Sequence, residues 1–300
     1  MTTLSQCLTA ARTAGLDRLD ADLLLLHAIG VATEHLHQRR SWLLAHDDDP
    51  MTAQTQAKFD QLVQRRKAGE PLAYILGHKE FFGLDLLVDP RVLVPRPDTE
   101  ILVEWALACI DAPSSGTPGA PLRLLDLGTG SGAIALAIQH ARPLARVDAV
   151  DASADALALA RANAERLGLP LQYLQGSWFE PVTGPYDVIV SNPPYIREAD
   201  PHLPDLSHEP TMALTAGPDG LRDIRHIVEH AGQHLAPGGW LLLEHGFDQG
   251  TQVRELLQAA GFHPVASRQD LAGHWRCSGG QWRPDDPGQA GAWATPAPVK

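Results

Sequence analysis

Cysteine is scarce in this sequence of 300 residues. Cys7, Cys109 and Cys277 lie far apart, and no two of them form a C-x-x-C pair. This spacing excludes a disulfide framework and a cysteine zinc site, and it indicates a reducing compartment. The H-E-x-x-H pattern of a histidine metal site is also missing from the sequence. We therefore expect no metal.

Long apolar runs are missing as well. The longest all-leucine run, Leu23 to Leu26, is far too short to cross a bilayer. The first residues lack the basic start and the apolar stretch of a secretion signal. We therefore expect no membrane partner and a cytoplasmic location.

Basic residues are outnumbered, with 24 Lys and Arg against 36 Asp and Glu, for a formal net charge of -12. Residues 1–80 hold 9 basic and 10 acidic residues, so residues 81–300 carry a net charge of -11. Nucleic-acid binding depends on clustered Lys and Arg, so this balance disfavours a duplex-wrapping protein, although a local basic groove remains possible. The length and the 44% hydrophobic content indicate a folded chain of about two domains.

The pattern of elements changes twice along the chain. Residues 1–70 predict short helices, with apolar residues at helical spacing in Leu4, Leu8 and Ala11. Residues 72–97 predict a hairpin, with strands at Phe81–Leu84 and Val92–Val94 about a turn at Asp89–Arg91. From Leu122 onward strands alternate with helices, which is typical of a parallel, doubly wound α/β sheet with ligand sites at the carboxyl ends of its strands. Residues 284–300 are rich in Pro, Gly and Ala and predict a disordered tail.

A glycine loop lies where the first of these strands turns into a helix. It consists of Gly128, Thr129, Gly130, Ser131 and Gly132. Glycine lets the backbone turn tightly and approach a ligand closely. Asp151 ends the next predicted strand, where a carboxylate can accept both hydroxyls of an adenosine ribose. Together the loop and the acid favour a nucleoside cofactor over a bare turn, and NAD remains open on these two features alone.

A third motif follows the predicted strand Tyr186–Val190. In Asn192-Pro193-Pro194-Tyr195 the prolines fix the backbone and remove two N–H groups, which leaves carbonyls that can point into a site. The Asn192 side chain adds an accepting oxygen, and Tyr195 offers a flat surface to a planar group. Such a motif can hold an NH2 group by both hydrogens and present its nitrogen to a methyl sulfonium, which favours methyl transfer over a Pro-rich turn.

With these motifs the chain resembles Class I S-adenosylmethionine-dependent methyltransferases and, more narrowly, the HemK/PrmC family, which methylates the side-chain amide of glutamine in peptide chain release factors. The glycine loop and the Asn192–Tyr195 motif carry the broad resemblance, and the latter is shared with adenine methyltransferases. The narrow resemblance is carried by further segments: Pro71–Gly77, Phe81–Leu84, Pro95–Glu100, Glu209-Pro210 and Asp219–Leu221.

The resemblance implies a Rossmann-like, seven-stranded, mostly parallel sheet with a small all-helical N-terminal domain joined by a β-hairpin. We expect a partner-recognition domain over residues 1–75, a connector over 76–97, a catalytic domain over 98–283 and the tail over 284–300. S-adenosylmethionine is the implied cofactor, with S-adenosylhomocysteine as its product, and a Gly-Gly-Gln loop of a release factor is the implied substrate.

The resemblance also implies a set of site residues. Asn192, Pro193 and Tyr195 would be catalytic, and Asn192, Pro193, Pro194 and Tyr195 would hold the substrate amide. The cofactor would contact the five glycine-loop residues, Asp151 at its ribose, Trp178 beside its adenine, and Asn192. Gly279-Gly280-Gln281 repeats the acceptor tripeptide within this chain, and we interpret it as a coincidence rather than as a self-methylation site.

Two alternatives stay open at this point. A nucleic-acid adenine methyltransferase shares the glycine loop, Asp151 and the Asn192–Tyr195 motif, but it should carry a basic face and a target-recognition domain. A non-catalytic, cofactor-binding interaction protein is the other alternative. The acidic balance of residues 81–300 favours a protein substrate over an unaided nucleic-acid substrate.

Overall fold

The computed structural model describes residues 2–32, 36, 39–112 and 121–284. The chain forms two compact units, one of Met1–Val94 with Pro201–Pro210 and one of Pro95–Asp200 with Thr211–Lys300. Residues 285–300 of the predicted tail lie outside the described residues, so the expectation of disorder stays a prediction.

The first unit is built mainly of helices. α1 begins after Thr3, whose hydroxyl accepts a hydrogen bond from the backbone of Gln6. α4 begins after Thr52, which caps it in the same way at Thr55. The residues that predicted these helices by their spacing, Leu4, Leu8 and Ala11 in α1 among them, are buried. The helices are α1 Leu4–Thr13, α2 Arg18–Ala28, α3 Arg40–Ala45, α4 Ala53–Lys67 and α5 Leu72–Leu76.

The leucine run forms the centre of this unit. Leu23, Leu24, Leu25 and Leu26 lie in α2 and are all buried, at 0–1% exposure. A helix that is apolar all round is covered on every side, and here α1, α3, α4 and α5 pack against it. No helix within the described ranges is long and apolar enough to cross a membrane.

The hairpin is present, but its predicted strands and turn are wrong. β1 His78–Phe81 pairs antiparallel with β2 Leu84–Leu87, and the turn is at Phe82-Gly83 rather than at Asp89–Arg91. Both turn residues have positive φ, 51° at Phe82 and 77° at Gly83. Two residues of this kind make the tight turn that suits the twist of a hairpin. Val92–Val94 is therefore not a strand of this hairpin.

Residues 201–210 belong to the first unit, although they follow the Asn192–Tyr195 motif along the chain. The buried carboxylate of Glu209 accepts a hydrogen bond from the backbone of Val94 at 3.0 Å. The ring of His208 lies 3.1 Å from the carbonyl of Ala68. The Glu209-Pro210 motif is thus held in the first unit by a hydrogen bond that spans 115 residues of sequence.

The second unit contains the sheet and its helices. Its helices are α6 Glu100–Ile110, α7 Ala133–Ala141, α8 Ala154–Leu167, α9 Arg222–Ala231 and α10 Gly250–Ala259. Its strands are β3 Arg123–Leu127, β4 Arg146–Asp151, β5 Gln172–Gln175, β6 Tyr186–Ser191, β7 Leu235–Glu244, β8 Phe262–Gln269 and β9 Trp275–Trp282.

The seven strands have the order β5-β4-β3-β6-β7-β9-β8. The pairs from β5 to β7 are parallel, and β9 is antiparallel to both of its neighbours. The predicted Rossmann-like, mostly parallel sheet is confirmed. From β3 the chain first adds β4 and β5 on one side of the sheet and then adds β6 and β7 on the other side. The position between β3 and β6 is therefore a topological switch point, where open α/β sheets bind their ligands.

A single row of paired residues crosses the centre of this sheet. Leu127 of β3 pairs with Val150 of β4 and with Ser191 of β6, and Ser191 pairs in turn with Leu243 of β7. Four parallel strands therefore end level with one another. The residue that follows each member of the row lies at the same edge of the sheet.

Gly279-Gly280-Gln281 lies inside β9, between β7 and β8. A Cβ on Gly279 would stand 2.5 Å from Cδ2 of Leu242 and 2.7 Å from the carbonyl oxygen of Leu241, so only glycine fits without displacement. The side-chain amide nitrogen of Gln281 donates to the carbonyl of Gly238 at 2.7 Å. The tripeptide is a packing element of an interior strand next to the sheet edge.

We predict that Gly279→Ala lowers the free energy of unfolding by about 1–3 kcal/mol, the usual cost of overpacking a filled core. The matched control is Gln281→Ala, which alters the same tripeptide but removes only exposed side-chain hydrogen bonds, to Gly238 and from Arg283, and should cost about 1 kcal/mol or less. Urea unfolding of the two variants and the wild type measures the difference. Equal stability of the two variants would contradict the packing role of Gly279.

Candidate functional site

The glycine loop connects β3 to α7 at the switch point. Gly128, Gly130 and Gly132 have φ values of 72°, 55° and 83°, a region that side chains other than glycine rarely adopt. A Cβ on Gly132 would press on Leu136 at 3.1 Å and on Ala160 at 3.3 Å, whereas a Cβ on Gly130 would meet nothing within 4 Å. Gly132 therefore allows the loop to pack closely against α7 and α8, and Gly130 leaves a side-chain-sized space beside the loop.

Hydrogen bonds from three directions fix the shape of this loop. The backbone N–H groups of Gly128 and Thr129 both donate to the carbonyl of Val150 at 2.9 Å. The amide of Asn163, buried in α8, donates to the carbonyl of Ser131 at 3.0 Å. The Thr129 hydroxyl donates to Oδ2 of Asp126 at 2.7 Å.

Asp126 is fully buried in β3. Burial raises its pKa to about 7, although the hydrogen bond from Thr129 opposes the rise. Its second oxygen, Oδ1, has no hydrogen-bond partner of normal geometry among the residues that the structure describes. The carboxyl group acts on the site through Thr129 and the loop that Thr129 belongs to.

Asp151 directly follows the row member Val150. Its Oδ2 accepts from the backbone of Gly130 at 2.9 Å, and its Oδ1 accepts from the backbone of Ser153 at 2.9 Å. Burial raises its pKa, and these backbone hydrogen bonds partly oppose the rise. A carboxylate oxygen can accept more than one hydrogen bond, so Asp151 can still accept from a diol while it holds the loop.

Trp178 lies beyond the end of β5, with a positive φ of 49°. Its ring packs over Gly128, where an added Cβ would come within 3.5 Å of the ring. That distance is an ordinary van der Waals contact, so glycine is required at position 128 by its φ of 72° rather than by the indole. The structure brings Trp178, the loop and Asp151 to one edge of the sheet, while their contacts with a cofactor stay predictions.

These residues fit the implied cofactor. Gly130 leaves a side-chain-sized space at the loop, Asp151 places an acceptor for a ribose diol beside it, and the flat ring of Trp178 packs against Gly128. An apolar wall with a few well-placed polar groups is the usual make-up of a nucleoside site.

The Asn192–Tyr195 motif begins one residue after the row member Ser191, next to the glycine loop. The Ser191 hydroxyl donates to the carbonyl of Leu127, the last residue of β3, at 2.7 Å. This hydrogen bond joins the two strands at the point where both motifs start. Pro193 is buried, and Asn192, Pro194 and Tyr195 are half-buried.

Two residues from distant parts of the sequence, Gln249 and Gly220, contact the backbone of the motif. The amide of Gln249, buried at the start of α10, donates to the carbonyls of Tyr195 at 3.1 Å and of Asp219 and Gly220 at 3.3 Å. Gly220 lies so close that an added Cβ would stand 2.2 Å from the carbonyl oxygen of Tyr195. The Asp219–Leu221 motif therefore packs directly against the backbone of Tyr195. The sequence did not predict the role of Gln249.

Glu244 follows the row member Leu243 and lies level with Asn192. It is 1% exposed, and its Oε1 accepts from the Tyr195 hydroxyl at 3.3 Å. Burial raises its pKa to about 7, and hydrogen bonding by Thr99 and Tyr195 opposes the rise. Its Oε2 has no hydrogen-bond partner of normal geometry within the described part of the chain. Glu244 ends a buried strand, as Asp151 does.

Thr99 comes from the Pro95–Glu100 segment that precedes α6. Its hydroxyl oxygen accepts a hydrogen bond from the side-chain amide of Asn192 at 3.3 Å, and the residue is buried. Its neighbour Asp98 pairs with Arg276 of β9 at 3.3 Å. The sequence contained no sign that this segment reaches the Asn192–Tyr195 motif, because the two lie 93 residues apart.

In the described ranges, no group of three or more His, Cys, Asp or Glu side chains could hold a metal ion. The expectation that the site works without a metal stays a prediction.

Comparison with protein families gives two matches. Residues 2–77 match the family described as the PrmC N-terminal domain, and residues 116–208 match the methyltransferase small domain. The release factor glutamine methyltransferase of Vibrio cholerae is 47% identical over 273 residues, which cover 88% of this chain and 90% of the relative. That of Bordetella pertussis is 49% identical over 270 residues, which cover 89% and 95%.

Solved structures are similar at the level of the fold. A methyltransferase from Pyrococcus furiosus aligns with a TM-score of 0.51 and 22% identity, over 73% of this chain and 97% of the other. This likeness supports the sheet architecture described above.

We predict that Asp151→Asn weakens binding of S-adenosylhomocysteine by about tenfold or more, the effect of losing roughly 1.4 kcal/mol of hydrogen bonding. Asp151 now accepts hydrogen bonds from two backbone N–H groups, and an asparagine would turn its own NH2 group toward one of them. The control is Asp155→Asn, which removes the same charge from an exposed position of α8. Isothermal titration calorimetry measures both, and equal affinities would refute the role of Asp151.

Glu244 should also make stability depend on pH. Its folded pKa of about 7 lies above the ordinary value of 4.5, so the folded state is favoured by protonation. The free energy of unfolding should fall as the pH rises from 5 to 8, and Glu244→Gln should remove up to about 3 kcal/mol of that fall. Urea unfolding at several pH values measures the slopes, with Glu255→Gln in exposed α10 as control. A wild-type slope in Glu244→Gln would contradict the prediction.

Proposed function

The chain belongs to the family of release factor glutamine methyltransferases, and from this premise we propose that it transfers a methyl group from S-adenosylmethionine to the side-chain amide nitrogen of a glutamine in a peptide chain release factor. One observation carries the proposal: the Asn192–Tyr195 motif starts in register with the glycine loop, at the switch point of the sheet. The relatives of known name match both units of the chain.

The cofactor end of the site is the glycine loop with Asp151 and Trp178. Gly128, Gly130 and Gly132 keep side chains out of the loop, and Asp151 accepts hydrogen bonds from the ribose. When bound, S-adenosylmethionine supplies an electrophilic methyl group, and as the nitrogen–carbon bond forms its sulfur–carbon bond breaks to leave S-adenosylhomocysteine, with the proton of the methylated nitrogen lost to water.

The substrate end of the site is the Asn192–Tyr195 motif. The side-chain oxygen of Asn192 and a backbone carbonyl beside Pro193 accept the two hydrogens of the substrate amide. Pro193 and Pro194 present no N–H groups, so no competing donor faces that nitrogen. Tyr195 packs its ring against the planar amide. The residues act by alignment, which is the main contribution available to a weakly nucleophilic nitrogen.

The acceptor in this proposal is the glutamine of a Gly-Gly-Gln loop. Residues 1–75 serve as the partner-recognition domain, residues 76–97 connect them to the catalytic domain over 98–283, and no nucleic acid is methylated. The reaction needs no metal, because alignment and an already electrophilic methyl group are sufficient. We place the protein in the cytoplasm, where release factors act.

The test is transfer of radiolabelled methyl groups to purified release factor, DNA and RNA, offered separately. We expect label only in the release factor, and none when its acceptor glutamine is changed to alanine. Asn192→Ala should lower the rate by about 100-fold or more, since a misplaced substrate costs a factor of that order, while S-adenosylhomocysteine still binds.

Label in DNA or RNA but not in the release factor would overturn the proposal in favour of an adenine methyltransferase. A wild-type protein that binds S-adenosylhomocysteine but labels none of the three would favour a non-catalytic, cofactor-binding protein. Thermal unfolding of Asn192→Ala shows whether the variant is folded.

A further inference from the structure

Gln249 joins three parts of the chain at the substrate end of the site. The residue directly precedes α10 and is 2% exposed. Its side-chain nitrogen Nε2 donates to the carbonyl of Tyr195 at 3.1 Å and to the carbonyls of Asp219 and Gly220 at 3.3 Å. Its side-chain oxygen Oε1 accepts from the backbone N–H of Gly246 at 2.8 Å. One buried amide therefore ties Tyr195 to two other segments of the chain.

The orientation of this amide is fixed by backbone groups alone. A half-turn of a glutamine amide exchanges its oxygen and its NH2 group. A backbone N–H can only donate and a backbone carbonyl can only accept, so the reverse orientation would set the NH2 group against the N–H of Gly246 and the oxygen against three carbonyls. Gln249 thus presents its donors to Tyr195 in one orientation only.

Gly246 is in turn anchored to the sheet. The buried ring of His245 has its Nδ1 2.9 Å from the carbonyl oxygen of Gly246 and its Nε2 2.8 Å from the hydroxyl of Ser278 in β9. Burial lowers the pKa of His245, which favours the neutral ring. Because a carbonyl only accepts, Nδ1 carries the hydrogen and Nε2 accepts from Ser278. The residue that orients Gln249 is therefore held by β9.

Gly220 brings its backbone directly against the same hydrogen bond. Its φ is 73°, and an added Cβ would stand 2.2 Å from the carbonyl oxygen of Tyr195 and 2.8 Å from Nε2 of Gln249. A side chain at position 220 would therefore displace either the carbonyl or the amide. Glycine at this position allows the three groups to meet without an intervening side chain.

The two prolines of the motif carry the constraint from Tyr195 toward the substrate. The rings of Pro193 and Pro194 fix φ, so this part of the backbone has little freedom to absorb a shift at its end. A displacement of Tyr195 therefore also displaces the carbonyl beside Pro193. The proposed function assigns one hydrogen of the substrate amide to that carbonyl.

Taking the proposed function as its basis, we propose that Gln249 is a positioning residue for methyl transfer, which acts by holding the Tyr195 carbonyl rather than by contact with the substrate. Loss of its donors misaligns the substrate nitrogen. The cofactor end of the site, formed by the glycine loop with Asp151 and Trp178, stays as it is.

Gln249→Met tests the donors. Methionine has about the length of glutamine but no N–H donor. We expect kcat for methyl transfer to the release factor to fall roughly 10- to 100-fold, as for other misplaced reacting groups. The KM for the release factor and the binding of S-adenosylhomocysteine should stay within about threefold of wild type, because the interaction acts in the transition state. Gln258→Met, at an exposed position near the end of α10, is the matched control and should keep wild-type kcat.

Gln249→Glu gives a readout that a loss of packing does not give. An ionised carboxylate can accept from Gly246 but has no hydrogen for the carbonyl of Tyr195, whereas the protonated form has one. Burial raises the pKa of a carboxyl group, so the ratio of variant to wild-type kcat should fall by about tenfold or more between about pH 6 and pH 8.5. The ratio cancels titrations that the two proteins share. Gln258→Glu is the control, and its ratio should not change with pH.

The charged groups around position 249 do not reverse this expectation. Asp219 and Asp248 adjoin it, and each is paired with an arginine. Burial raises the pKa of Tyr195, so its hydroxyl stays uncharged over this range. Glu244, which accepts from Tyr195, adds negative charge as the pH rises and so acts in the same direction as burial. The N-terminus of α10 favours a carboxylate, but this effect is small beside the desolvation of a side chain that is 2% exposed.

Three results would overturn the inference: wild-type kcat in Gln249→Met, a loss of S-adenosylhomocysteine binding as large as the loss of kcat, or a ratio for Gln249→Glu that does not change with pH. If Gln249→Met does not fold, Gln249→Glu decides. A ratio that falls as the pH rises then supports the inference, and a constant ratio refutes it.

The inference and the proposed function fail in different ways. Asn192→Ala with little activity beside a fully active Gln249→Met refutes the inference and leaves the function standing. A wild-type protein that does not label the release factor refutes the function itself.

Discussion

The site depends on the row of paired residues at the end of four parallel strands. Because Leu127, Val150, Ser191 and Leu243 are in register, the residues after them emerge at one level. A shift of one residue in any of these pairings would send the following side chain to the opposite face of the sheet. The Ser191 hydroxyl bonded to the carbonyl of Leu127 strengthens the register at the switch point. The glycine loop, Asp151 and the Asn192–Tyr195 motif are therefore positioned by backbone pairing.

Register alone does not orient side chains, and the orientation comes from residues far away in the sequence. Gln249 and Gly220 hold the backbone of Tyr195, while Thr99 reaches the side chain of Asn192. The two prolines of the loop have no N–H groups to hold it through hydrogen bonds of their own. The buried amide of Gln249 instead donates to one carbonyl of the loop, that of Tyr195, and to the carbonyls of Asp219 and Gly220 beside it.

Periodicity and turn chemistry were enough to predict the helix α1, the strands β3, β4 and β6, and the strand-end positions of the glycine loop, Asp151 and Asn192–Tyr195. They failed where neighbours decide the outcome. Gly279-Gly280 lacks the apolar side chains of a buried strand, yet the two residues lie inside β9, between β7 and β8. β5, Gln172–Gln175, is polar at both ends and lacks the apolar run of a buried strand. Thr99 could not be predicted from the sequence because its hydrogen bond with Asn192 forms only in the folded chain, across 93 residues.

Two carboxyl groups in this site are buried at a cost, and the cost has a structural reason. Asp126 and Glu244 both have pKa values raised to about 7 by burial, so each opposes folding once it is ionised. Yet each accepts from a hydroxyl that shapes the site, Thr129 for Asp126 and Tyr195 for Glu244. An amide of the same size would avoid the charge but carries donors and acceptors together, and a half-turn would exchange them. An ionised carboxylate presents only acceptors, so it imposes one direction on the hydroxyls around it. When ionised, Asp126 and Glu244 thus fix the direction of the Thr129 and Tyr195 hydroxyls at a cost in stability, and protonation of either carboxylate removes both the cost and the constraint.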